Sequence, residues 1–136
     1  MLLSAEALRF NNIRVIKKSK ISKPYQILIL SSASFSLTNY LLDISNSFQN
    51  KYPGFFNFLF KPHPDTVIKK FNYNDIKLLN PKVTLSDLVK KSDLVFTSAS
   101  TSAALDAYLA GINVITLLDK SIPNISPLYN CNGINY

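Results

Sequence analysis

Cysteine is nearly absent from this chain of 136 residues: Cys131 stands alone. It leaves no internal disulfide to staple the fold, and with no export signal a cytoplasmic location is the expectation. Long apolar runs are missing as well, and none reaches the ~18–20 residues that a bilayer-spanning helix needs. The opening MLLSAEALRF does not make a secretory signal, because Glu6 and Arg9 fall where an unbroken apolar region is required. There is no G-x-G-x-x-G and no P-loop, so dinucleotide and simple NTPase readings lose support. His63 is the lone histidine, with no cysteine or carboxylate cluster near it in sequence, so no metal is expected. Acidic residues are outnumbered, 8 against 15 Lys and Arg, for a net charge of +7.

The basic residues come in short groups: Lys17, Lys18, Lys20 and Lys23; Lys69 and Lys70; Lys90 and Lys91. They sit at the ends of expected elements, which reads as a solvated basic surface. The same charge would attract an anionic small molecule, or allow peripheral association with the inner face of a membrane. No basic stripe interleaved with aromatics lies on one element, so nucleic acid is not an expected partner.

What is present is a hydrophobic content of 47% in a length that suits one domain with a real core. The stretch from Asp93 to Leu118 organises the reading. Leu94–Phe96 is a buried parallel strand; Thr97, Ser98, Ser100, Thr101 and Ser102 make a hydroxyl-rich turn. An Ala- and Leu-rich helix then ends at Gly111, and a second strand runs from Val114 to Leu118. This is a βαβ unit. Upstream, strands are expected at Gln26–Leu30, Phe55–Phe60 and Ile76–Leu79. Helices are expected at 36–50 and after Thr84, with a helical turn at 66–72. In the helix over 36–50, Leu37, Tyr40, Leu41, Ile44 and Phe48 form one stripe and are expected to face the core. After Thr84, Leu85, Leu88 and Val89 face inward, with Asp87 in a capping-box-like place. The alternation implies an α/β fold: a Rossmann-like open parallel sheet with helices on both faces.

In such a sheet three loops open on the same edge: Ser31–Ser34, Lys61–Asp65 and Thr97–Ser102. Ser100, Thr101 and Ser102, at a helix start, offer hydroxyl and backbone N–H donors to a phosphate; the competing explanation is that one of them merely caps the helix. The two prolines flanking His63 exclude both helix and strand there, so the imidazole sits on a stiff loop, able to donate to a phosphate. Asp106, further along the helix, could accept from a ribose hydroxyl or be a solvated carboxylate. Cys131 has no activating neighbour in sequence and receives no role.

KPHP at 61–64 and SDLVFTSASTSAALDAYLAG at 92–111 together resemble the C-terminal, nucleotide-sugar-binding half of GT-B glycosyltransferases. The likeness is to bacterial surface-carbohydrate enzymes of the polysialyltransferase, CDP-glycerol transferase and sugar 2-epimerase kinds. The resemblance implies that His63 and Pro64 form a His-Pro motif and Ser100 and Thr101 a Ser/Thr motif, both holding the donor's phosphate. Asp106 would meet the ribose, standing where many relatives have Glu; Ser32, Lys61, Ser98 and Ser102 complete the expected nucleotide-sugar site. ALRF at 7–10 looks like the helix that enters this half from an N-terminal one. Residues 1–24 are thus expected to be that helix and a linker, and 25–136 a Rossmann-like domain truncated at its C-terminus. The expected activity is transfer of a sugar from a nucleotide-sugar to a cell-surface polysaccharide or lipid-linked acceptor. His63 would stabilise charge on the leaving phosphate in place of a metal ion, so no cofactor is implied. The partner would be the N-terminal GT-B half, which usually supplies the general base. Two alternatives remain: a nucleotide-sugar 2-epimerase-like domain, or a non-catalytic module for phosphorylated ligands. Against the epimerase, such relatives usually carry a Gly-rich turn and a carboxylate pair, where this chain has Ser100-Thr101-Ser102 and Leu105-Asp106.

Overall fold

The computed structural model describes residues 15–16, 22–31, 34–63, 68, 70–121, 123–129 and 131. Five strands and three helices follow one another: β1 (Tyr25–Leu30), α1 (Phe35–Lys51), β2 (Phe56–Lys61), β3 (Ile76–Leu78), α2 (Leu85–Lys91), β4 (Leu94–Ser98), α3 (Ala103–Leu109) and β5 (Asn113–Leu117). The strands form one sheet in the order β3-β2-β1-β4-β5, with every pairing parallel. This is the expected α/β, Rossmann-like open sheet. Chain direction across the sheet reverses between β1 and β4, which makes the carboxyl ends of those two strands the topological switch point.

Strand alternation splits the core in two. Leu28 and Leu30 of β1 join Val95, Val114 and the helices α2 and α3 on one face; Ile27 and Ile29 join Phe58, Phe60 and α1 on the other. Helices thus cover both faces. The first face combines Leu and Val with small residues, Ala104 and Ala107 of α3 being fully buried. α3 ends in a Schellman arrangement, in which the Ile112 N–H reaches the Ala107 carbonyl at 3.0 Å and that of Gly111 reaches Tyr108 at 2.9 Å. Gly111 takes φ of +77°, and a Cβ there would stand 3.2 Å from Val15 Cγ1. Next to it the Ile16 N–H donates to the Ala110 carbonyl at 2.9 Å, and Ile16 packs on the small-residue core.

The helix boundaries agree with expectation within a residue or two, but the buried side of α1 agrees in part: of the expected stripe Leu41 is buried and Leu37 and Ile44 are half-buried. Thr38, Leu41, Leu42 and Ser45 face inward, whereas Tyr40 and Phe48 are 56% and 48% exposed. The two hydroxyls enter the core because each donates to the carbonyl one turn back, Thr38 to Ser34 at 2.9 Å and Ser45 to Leu41 at 2.8 Å. At α2, Thr84 occupies the N-cap position, yet its hydroxyl donates to the Asp87 carboxylate at 2.5 Å in place of accepting from the backbone. Thr97 and Ser98, expected in a loop, are the last residues of β4 and fully buried. Of the expected helical turn at 66–72, the described residues 68 and 70–72 are not helical; the rest lies outside the described residues, as does the expected first helix. Past β5 the described residues form a loop whose Leu128 is buried on the same core as α3, held by the Ser126 hydroxyl, which accepts from its N–H at 3.2 Å.

Candidate functional site at the switch point

At the switch point the loops after β1, β2 and β4 meet, joined by the start of α2. They enclose an open cleft of about 330 Å³ lined by Leu30, Ser31, Lys61, Pro62, His63, Leu85, Ser100, Thr101, Ser102 and Ala103. Its floor is apolar, from Leu30, Pro62, Leu85 and Ala103, and its polar groups come from three separate strand ends. Such convergence of a few polar groups over an apolar floor is the usual make-up of a small-ligand site, and the volume is at the small end of that range.

Hydrogen bonds tie the three loops together. The Ser31 N–H donates to the Lys61 carbonyl at 3.2 Å, continuing the β1–β2 ladder one step past the sheet. The Ser31 hydroxyl accepts from the His63 N–H, which anchors the loop carrying the imidazole directly to the end of β1. From the other side the Thr101 hydroxyl donates to the Ser31 carbonyl at 3.4 Å. Ser31 is therefore the pivot of the site. Sequence reading placed it in a converging turn but gave the binding role to Ser32. The signal was available: Ser31 is the first residue past a buried strand at the switch-point edge.

The hydroxyl-rich turn divides into two kinds of residue. Thr97 donates to the Leu30 carbonyl at 3.4 Å, and Ser98 shares hydrogen bonds of 3.3 Å with both the Ser100 and the Thr101 hydroxyls. Thr97 and Ser98 are structural, and neither lines the cleft. Ser100 and Ser102 are exposed and do line it. Ser102 holds the N-cap position of α3 in a helical backbone conformation, with no side-chain capping bond. The capping explanation for its hydroxyl therefore fails. Because α3 has seven residues, the dipole at its start is partial. Charge in the cleft comes mainly from side chains.

The Lys61 ammonium donates to the Pro81 carbonyl at 2.7 Å, and partial burial holds its pKa below the usual lysine range. No carboxylate lines the cleft among the described residues. Asp106, expected at the ribose, does not line it either: the residue is half-buried on α3, with its backbone carbonyl accepting from Ala110 at the helix end. Ser32 and Pro64 lie outside the described residues. Among the described residues no group of three His, Cys, Asp or Glu stands close enough to hold a metal ion, and no helix is long and apolar enough to cross a membrane.

Comparison with protein-family models, curated proteins and solved structures gives no match for this chain.

Proposed function

We propose that the chain binds the phosphate part of a nucleotide-sugar in the switch-point cleft and serves as the donor-binding half of a glycosyltransferase. The observation that carries this reading is the meeting of Lys61, His63, Ser100 and Ser102, from two different strand ends, in one cleft without a lining carboxylate among the described residues. A lysine, a histidine and exposed serine hydroxyls over an apolar floor suit a ligand that is anionic at one end and flat and apolar at the other. Cleavage at the anomeric carbon releases a nucleotide phosphate, and donors already in place would stabilise that charge as it develops. The resemblance assigns the general base to an N-terminal half, so binding without turnover is the expectation for this domain by itself. The polysaccharide or lipid-linked acceptor is part of the same proposal, and rests on the sequence resemblance.

An amide-shift NMR titration at low salt with CMP, CDP, UDP and GDP tests it. Expected are shifts at Ser31, His63 and Ser100–Ala103, with one base preferred. His63→Ala should weaken binding about tenfold, the usual scale for one hydrogen bond to a charged group. Shifts elsewhere, or none at millimolar ligand, would sink the proposal.

A further inference from the structure

The opposite end of the sheet carries a surface of another kind. Where α1 ends and β2 begins, Phe48, Tyr52, Phe55 and Phe56 form a connected set of rings with centroids 6.2–6.5 Å apart, and Tyr25 and Phe58 extend it through Phe56 at 6.1 and 5.6 Å. Burial does not account for them: Phe48 is 48%, Phe55 41% and Tyr52 39% exposed. Two lysines, both exposed, stand over the outer rings. Lys23 Nζ lies 3.6 Å from the Phe55 ring centre and Lys51 Nζ 5.5 Å from that of Tyr52. Asp93, at the same end, is turned inward, its carboxylate accepting from the Gln26 N–H at 2.8 Å. Phe48 and Phe56 also open an apolar groove of about 410 Å³ that runs up the sheet past Ile44, Phe96 and Ile115.

We infer that this amino-end surface docks on an anionic lipid bilayer, with the rings of Tyr52 and Phe55 at headgroup depth and Lys23 and Lys51 against lipid phosphates. Exposed aromatic rings beside lysines, on a chain of net charge +7, match what an interface demands: an amphipathic ring at the boundary and cations facing anionic headgroups. Lysines lying over the ring faces put positive charge in the contact itself, which selects an anionic surface. The cleft lies at the carboxyl end of the strands, so a docked molecule keeps it open to the aqueous side.

Co-sedimentation with vesicles tests the inference. Wild type should bind vesicles containing 30% phosphatidylglycerol at least tenfold more tightly than pure phosphatidylcholine, with the difference shrinking as salt rises. Lys23→Ser with Lys51→Ser should reduce that binding by tenfold or more, near the contribution of about 1 kcal/mol per surface cation. Tyr52→Ser with Phe55→Ser should abolish it at physiological salt and leave the nucleotide titration unchanged. Since the chain has no tryptophan, Phe55→Trp supplies a single reporter whose emission should shift to the blue on anionic vesicles. Far-UV circular dichroism checks that each variant folds. Equal binding to neutral vesicles, no binding, or co-sedimentation with an unshifted tryptophan would each overturn the inference. So would self-association in sedimentation velocity without lipid that Phe55→Ser removes, since the surface would then belong to a second copy.

Discussion

The two faces of the sheet solve the same packing problem with different residues. Under α2 and α3 the core is Leu, Val and Ala, and the fully buried Ala104 and Ala107 allow α3 to lie close on the strands. Under α1 the core adds rings to Ile and Leu, with Phe58 and Phe60 in the sheet and the partly buried Phe71 and Tyr73 packed against it. Close approach on the first face places Thr101 within hydrogen-bonding reach of Ser31 and so shapes the cleft. On the second face a single helix covers wide rings, and an open apolar groove is left beside it. Small residues here set position, and large ones supply buried area.

Truncating the aromatic face should give the largest loss of stability. Phe60 is 1% exposed and stacks on Phe71, with ring centres 5.7 Å apart and planes within 6°. Phe60→Ala should cost about 3–5 kcal/mol in urea unfolding. Ala107→Leu on the other face should cost less, about 1–3 kcal/mol, because it overfills a tight contact. If small residues set position, the order reverses for ligand: Ala107→Leu should weaken phosphate binding more than Phe60→Ala does, measured where both variants are folded. Equal effects on binding would erase the distinction between the faces.

Much of this contrast was legible in the sequence, for reasons that differ by element. Runs such as Gln26–Leu30 and Leu94–Phe96 are apolar on both sides because a central parallel strand is buried on both faces. The limits of α1 were readable from Pro53-Gly54 and from the serines before it. Its buried side was readable only in part, at Leu41 and the half-buried Leu37 and Ile44. Hydropathy counts Thr38 and Ser45 as polar, while each satisfies its hydroxyl on the helix's own backbone and enters the core. The same blindness hid Ser92, fully buried with its hydroxyl donating to Leu88 at 2.7 Å. At the site, residue type located the hydroxyl turn, but strand register decided that Thr97 and Ser98 turn inward and Ser100 and Ser102 outward. Asp106 stands on α3 apart from the cleft lining, a placement that chain distance from Thr101 does not disclose.

The aromatic face also carries a pH-sensitive tie. The Tyr73 hydroxyl donates to Asp43 Oδ1 at 2.8 Å, linking the segment before β3 to α1. Burial first, and then the bond to and charge of Asp43, push the Tyr73 pKa up to about 12 from its ordinary 10.0. The unfolded chain therefore loses this proton at lower pH than the folded one. The tie is fully present below pH ~10, and its contribution is lost as pH rises toward ~12. Tyr73→Phe should flatten the fall in stability across that window, read by urea unfolding at fixed temperature. A fall of unchanged steepness would assign the alkaline sensitivity to other groups.

The smallest effect should have the opposite sign, and it comes from the small-residue face. Thr116 on β5 is 1% exposed, and its hydroxyl has no partner among the described residues. Its register neighbour across β4 is Thr97, equally buried, whose hydroxyl does have one in the Leu30 carbonyl. The two threonines are matched in residue type and burial and differ in hydrogen bonding and in standing on an edge or an inner strand. Valine keeps the shape and the β-branch of either residue and removes the hydroxyl. At Thr116 it removes an unpaired buried group and should stabilise by up to about 1 kcal/mol; at Thr97 it breaks a bond and should cost about the same. Urea midpoints at constant slope read both. Losses at both positions would mean that the Thr116 hydroxyl is paired after all, and that polar groups on this face are as fully satisfied at the edge strand as at its centre.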